Sequence, residues 1–199
     1  MFILFLSKFF ILKTVAIFGS GNGSNAENIY NYFLSSSDVK IVFFCTNNKN
    51  AFIVNRAEKL NIPVLFTNKD HMRKNSGIQK ELKNYKVDYI ILAGFLLKIP
   101  NNIISLYPKK IINIHPSLLP KYGGKGMYGL NVHAAVLKNK ELESGITIHF
   151  VNEYYDEGEI ILQKKCFISK EETINSLDKK IRFLELSFFP KTIEKIIFS

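Results

Sequence analysis

Short apolar runs alternate with longer amphipathic stretches along almost the whole chain, and this alternation limits the possible folds more than any other feature. A run such as Tyr89-Ile-Ile-Leu92 carries no polar alternation, so it reads as a strand buried on both faces. Such strands belong to parallel sheets with helices on both sides. Strands are expected at Thr14–Phe18, Lys40–Cys45, Pro63–Phe66, Asp88–Ala93, Lys110–Ile114, Gly145–Val151 and Glu159–Phe167. Helical periodicity is expected over Ser24–Leu34, Asn50–Leu60, Ile78–Tyr85, Leu130–Leu137 and Ile174–Phe198. The last of these offers Ile174, Leu177, Ile181, Leu184, Phe188, Ile193 and Ile197 as a face to pack on the sheet. No repeat, linker or low-complexity segment divides the 199 residues. The fold class is therefore α/β: one domain with a doubly wound, mostly parallel sheet of about seven strands flanked by helices.

Composition excludes several functions. The two cysteines, Cys45 and Cys166, lie far apart with no C-x-x-C, which speaks against a disulfide framework or a Cys-based zinc site and for a reducing cytosol. Lys and Arg number 27 against 17 Asp and Glu, a net charge of +10. Such a balance suits nucleic acid, a membrane surface or an anionic small substrate. Only Arg56, Arg73 and Arg182 are arginines, however, and the lysines are scattered. Nucleic-acid readers lean on arginine, and no RNP-like aromatic strand pair or helix-turn-helix is present, so no nucleic-acid partner is expected. Residues 1–12, MFILFLSKFFIL, are too short to span a bilayer, which takes about 20 residues, and lack an A-x-A cleavage site. They read as an N-terminal extension or a misplaced start codon, in preference to a membrane-targeting segment, ahead of a domain at 13–199 in a cytoplasmic protein without membrane partners.

Three constellations carry chemistry. The first strand runs into Gly19-Ser-Gly-Asn-Gly-Ser-Asn25, and a helix follows. Glycines let the backbone curl while the helix start presents free N–H groups to an anion. No Gly-Lys-Ser/Thr closes a Walker A loop, and Asn47 and Asn48 stand where a dinucleotide site needs an acid. A tight turn without a ligand is the plain reading; a phosphate on Gly23, Ser24 and Asn25 is the preferred one. Asn113-Ile-His-Pro-Ser-Leu-Leu-Pro120 ends the fifth strand, where alternation puts Asn113 and His115 on one face. A histidine beside proline is often only structural. An amide donor next to a protonatable imidazole, though, is what a developing oxyanion requires. Asp156 lies in Tyr155-Asp-Glu-Gly158, which reads either as a turn former or as a carboxylate that serves His115 as a proton partner. Thr147 and His149 share one face of the strand before it.

Taken together, these motifs make the chain resemble the folate-dependent formyltransferase family, in its glycinamide ribonucleotide branch. The likeness covers residues 13–195: Gly-Asn-Gly-Ser-Asn at 21–25, Leu-Ala-Gly-Phe at 92–95, Asn-Ile-His-Pro-Ser-Leu-Leu-Pro-Lys-Tyr at 113–122, Gly-Ile-Thr-Ile-His-Phe-Val at 145–151, and the Asp156 loop. Methionyl-tRNA formyltransferases share the SLLP region but add a C-terminal domain. Formyltetrahydrofolate hydrolases add an N-terminal regulatory domain. This chain is expected to have room for neither.

The resemblance implies a Rossmann-like fold and transfer of a formyl group from the co-substrate 10-formyltetrahydrofolate to the amine of glycinamide ribonucleotide, without a metal. Asn113, His115 and Asp156 are the implied catalytic residues. Gly23, Ser24 and Asn25 would take the phosphate and Glu185 the ribose. Arg73, Phe95, Leu96, Leu97, Val151, Asn152 and Tyr155 would surround the folate. Phe95, Leu96 and Leu97 read equally as core, and Glu185 as a solvated helix carboxylate. The implied partners are these small molecules alone, with the protein a monomer or homodimer. Two departures stand out. Many members have a basic residue at the position of Leu97, here followed by Lys98, and the glycine-rich stretch at 121–129 is longer than in some members and reads as a mobile lid. His133 reads equally as a neighbour of the site or as an exposed residue.

Overall fold

A computed structural model describes residues 12–199, so the expected N-terminal extension, apart from Leu12, lies outside the described residues. Seven strands, β1 (Lys13–Phe18), β2 (Val39–Thr46), β3 (Val64–Phe66), β4 (Tyr89–Leu92), β5 (Ile111–His115), β6 (Glu143–Phe150) and β7 (Ile160–Phe167), form one sheet in the order β3-β2-β1-β4-β5-β6-β7. The first five are parallel, while β6 and β7 run antiparallel to their neighbours. The strand order reverses between β1 and β4. In open sheets of this kind, ligands bind beyond the strand C-termini at that reversal.

Helices cover both faces. On one lie α1 (Ser24–Phe33), α2 (Ile53–Lys59), α6 (Leu130–Lys138) and α7 (Ile174–Ile197); on the other lie α3 (Lys69–Arg73), α4 (Ile78–Asn84) and α5 (Asn101–Ile104). The alternation of β1 divides the core accordingly: Val15 and Ile17 join the α1/α7 side, and Ala16 and Phe18 the α4/α5 side. Among the described residues no helix is long and apolar enough to cross a membrane.

All seven expected strands form, within two residues at each end. The short helices α3 and α5 were not anticipated, because five and four residues are too few to show a period. Asn68 caps α3 by accepting from the His71 N–H at 2.8 Å. Helix α2 starts at Ile53 rather than Asn50, because Asn48 turns the chain first, accepting from the Asn50 N–H through Oδ1 at 3.0 Å.

Helix α7 departs most from its expected face. It opens with a reciprocal cap, Thr173 Oγ1 accepting from the Ser176 N–H and Ser176 Oγ from the Thr173 N–H. Besides Pro190, its buried apolar positions are Leu177, Ile181, Phe189, Ile193 and Ile197, whereas Phe188 is half-buried and Ile174 exposed. These follow a four-residue ladder whose missing rung is Glu185. At 3.6 residues per turn such a ladder winds by about 40° per step, so the buried stripe curls round the helix. Pro190 has no N–H to offer the Leu186 carbonyl one turn back; Asn28 of α1 supplies the donor instead, at 2.9 Å.

Candidate active site

One cleft of about 1030 Å³ opens above the C-terminal ends of β1, β4 and β5. Gly23 forms its first wall, in the left-handed region (φ 76°) as the cap of α1; a Cβ there would lie 2.8 Å from Ile53 Cα, so only glycine fits. The first N–H groups of α1 have no intrahelical acceptor, and Gly23, Ser24 and Asn25 all border the cleft. Arg56 braces this loop from behind, donating through Nε to the Asn22 carbonyl at 2.9 Å and pairing with Glu27. Asn25 Nδ2 donates to Glu185 Oε2 at 2.8 Å, and Asn25 Oδ1 is buried without a partner. Burial on the α7 stripe raises the Glu185 carboxyl to about 7, with the Asn25 bond and Arg182 opposing the shift.

The Asn/His pair stands on β5 as alternation requires. The antiparallel register places His149 opposite Asn113 and Thr147 opposite His115. His149 Nδ1 is 2.8 Å from the Phe150 carbonyl, which can only accept, so Nδ1 carries the proton. Burial lowers the basicity of this ring, against a smaller opposing pull from that bond and Asp156, and favours the neutral form. Nε2 is then an acceptor, 3.1 Å from Asn113 Nδ2. This fixes the Asn113 amide with its NH₂ towards His149 and Asp156, since the flipped amide would set its oxygen against a lone pair and a carboxylate. Sequence reasoning placed His149 on the right face but gave it no role. Only the β5–β6 register reveals one.

His115 Nε2 lies 2.8 Å from the Tyr122 carbonyl and must donate to it, leaving Nδ1 directed at Asp156 Oδ2, 3.5 Å away. Asp156 sits at φ 57°, a conformation that Asp tolerates, and takes the Gly124 N–H on Oδ2 at 2.9 Å. Asn113 Nδ2 is 3.5 Å from Asp156 Oδ1. Asn113, His115 and Asp156 thus converge without closing on one another. Gaps of this length are common before a substrate tightens them. Thr147 holds the turn after His115, donating to the Ser117 carbonyl at 2.7 Å and accepting from the Leu119 N–H at 3.0 Å.

The remaining candidates divide. Arg73, Phe95, Leu96, Leu97 and Tyr155 border the same cleft; Val151 and Asn152 do not. Val151 packs into the core, and the Asn152 side chain shapes its own loop, donating to the Glu157 carbonyl at 3.2 Å and accepting from the Tyr154 N–H at 3.0 Å. Phe95 is half core, edge-on to Phe18 at 5.3 Å, while Leu96 is exposed. Lys98, the basic residue next to Leu97, lies 5.8 Å from the centre of the Tyr155 ring and joins the two loops at the cleft mouth. His133 is buried rather than exposed. Among the described residues no group of three or more His, Cys, Asp or Glu is arranged to hold a metal.

A doubly wound sheet thus brings the start of α1 and the Asn113/His115/Asp156 cluster to one strand-end cleft. Residues 13–193 match the formyl transferase family, and the chain belongs to that family. It is 37% identical over 190 residues to the chloroplastic phosphoribosylglycinamide formyltransferase of Arabidopsis thaliana; that match covers 92% of this chain but 65% of the relative, just under two thirds of its length. It is 34% identical to phosphoribosylglycinamide formyltransferase of Bacillus subtilis (strain 168), covering 94% of this chain and 95% of that one. The crystal structure of phosphoribosylglycinamide formyltransferase from Bacillus halodurans superposes with a TM-score of 0.83 at 30% identity, over 93% and 95% of the two chains.

Proposed function

We propose that residues 13–199 form a formyltransferase domain that moves the formyl group of 10-formyltetrahydrofolate to the amine of glycinamide ribonucleotide, a step of purine biosynthesis. The observation that carries this reading is the Asn113–His115–Asp156 convergence, with the Asn113 amide fixed by His149, in the same cleft as the helix start at Gly23–Asn25. The phosphate sits on Gly23, Ser24 and Asn25, and Glu185 holds ribose hydroxyls. The folate enters beside Arg73 and Phe95–Leu97, against Tyr155. In this reading the protein works in the cytoplasm as a monomer or homodimer.

The amine lone pair attacks the formyl carbon, and the carbonyl π pair moves onto oxygen. Asn113 Nδ2–H and the imidazolium form of His115 stabilise that oxyanion. Asp156 takes the excess proton from the attacking nitrogen, through a water, and passes it to N10 of the folate. The C–N10 bond then breaks as the oxygen lone pair returns, leaving formylated ribonucleotide and tetrahydrofolate. No covalent enzyme intermediate is needed.

The test mixes purified protein with both substrates and follows deformylated folate by absorbance, with a control lacking the ribonucleotide. Turnover is expected only with the ribonucleotide present. One oxyanion donor is typically worth about 3–4 kcal/mol, so Asn113→Ala should slow turnover roughly 100-fold or more, and His115→Ala at least as much. Turnover without ribonucleotide would instead indicate a folate hydrolase, and none at all from folded protein would sink the reading.

A further inference from the structure

We propose that His133 accepts the amide N–H of the ribonucleotide's glycinamide arm on its ring Nδ1, and so fixes the arm between the ribose and the reacting amine. The inference deepens the proposed function and rests on it. His133 lies on α6, is 1% exposed and borders the cleft. Its Nε2 points to Asp178 Oδ1 at 3.6 Å, and the other oxygen of Asp178 accepts from Arg182 Nε at 2.7 Å. A carboxylate can only accept, so the ring proton belongs on Nε2 and Nδ1 is left as a lone-pair acceptor. That Nδ1 is buried with no protein partner. Burial also lowers the basicity of the ring, outweighing the pull of Asp178, which favours the neutral form.

A buried acceptor without a donor is costly enough that native structures rarely keep one unless a ligand or water completes it. Its location indicates the ligand group. On one side, His115 is close enough to act electrostatically on the His133 ring. On the other, Asp178, Arg182 and Glu185 follow one another at helical spacing along the cleft side of α7. An uncharged lone pair between those positions repels phosphate, carboxylate and carbonyl oxygens and attracts an N–H or O–H donor, and the proposed function already gives the ribose hydroxyls to Glu185. Between the ribose and the terminal amine, the substrate's only N–H is that of its amide.

The experiment compares glycinamide ribonucleotide with an analogue in which the amide N–H is replaced by CH₂, using wild type, His133→Leu and His133→Asn. Wild type should lose roughly 5- to 100-fold in kcat/KM on the analogue, mostly in KM, because the acceptor is left unpaired. His133→Leu has no acceptor and should treat the two substrates within about threefold of each other. His133→Asn, which keeps an oxygen near the Nδ1 position, should recover the discrimination. In ¹⁵N spectra of the wild type, the His133 Nδ1 resonance should move on adding the ribonucleotide and stay put with the analogue, a readout that survives if the Leu variant does not fold. Equal discrimination by wild type and His133→Leu, or an unmoved resonance, overturns the proposal while leaving the formyl transfer intact. Absence of wild-type turnover with the ribonucleotide removes both.

Discussion

Glu185 shows how one residue can join the fold to the chemistry. It occupies a rung of the buried stripe of α7, where an apolar side chain would serve packing better, and its carboxyl is raised to about 7 in consequence. The unfolded chain titrates near 4.5, so between about pH 4.5 and 7 the native state holds the extra proton and this group's contribution to stability falls as pH rises. Glu185→Gln keeps an acceptor for Asn25 Nδ2 and removes the ionisation. In thermal melts without substrate, the variant should match wild type near pH 4.5 and exceed it at pH 8, by about 1–3 kcal/mol at most. Ribose affinity should fall in the same variant, since a carboxylate accepts hydroxyl donors more strongly than an amide does.

Among the elements, α7 and α1 are tied where proline would otherwise leave a defect. The Leu186 carbonyl freed by Pro190 is met by Asn28 Nδ2, and Tyr32, one turn further along α1, reaches Glu194 at 2.7 Å. Asn28→Ala should cost about 0.5–1.5 kcal/mol in urea unfolding, with little effect on kcat. The Asp156 loop depends on a similar local fit. A Cβ on Gly158 would lie 1.7 Å from the Phe150 carbonyl, so the loop comes down on β6 only with glycine there. Gly158→Ala should therefore displace Asp156 and lower kcat far more than it lowers stability, a contrast that turnover and melting curves together would read.

Across the whole molecule, charge is arranged more selectively than the +10 total suggests. All three arginines serve the cleft region: Arg56 braces the glycine loop, and Arg73 and Arg182 border the cavity. Lys69, Lys98 and Lys125 border it too, against the acids Asp156, Asp178 and Glu185. Anionic substrates should therefore be drawn in by a field that salt screens. Raising salt to about 0.5 M should increase KM for both substrates several-fold and leave kcat nearly unchanged.

The strand pattern, the class of fold and the Asn113/His115 pair were legible in the sequence, because each depends on a periodicity of two or on a motif contiguous in the chain. The glycine loop around position 23 and the long last helix were legible for the same local reason. The partners that give these residues their roles were not. His149 opposite Asn113 follows from an antiparallel register between strands nearly 40 residues apart. Asn28 under Leu186 and Asn25 against Glu185 join α1 to α7 across some 160 residues. Phe189 rather than Phe188 faces the core because the buried stripe winds with the helix it packs on. Sequence alone determined what each segment can form locally. Only the tertiary structure decided which polar atoms meet, because a buried donor or acceptor takes its chemistry from whatever packing brings within about 3 Å of it.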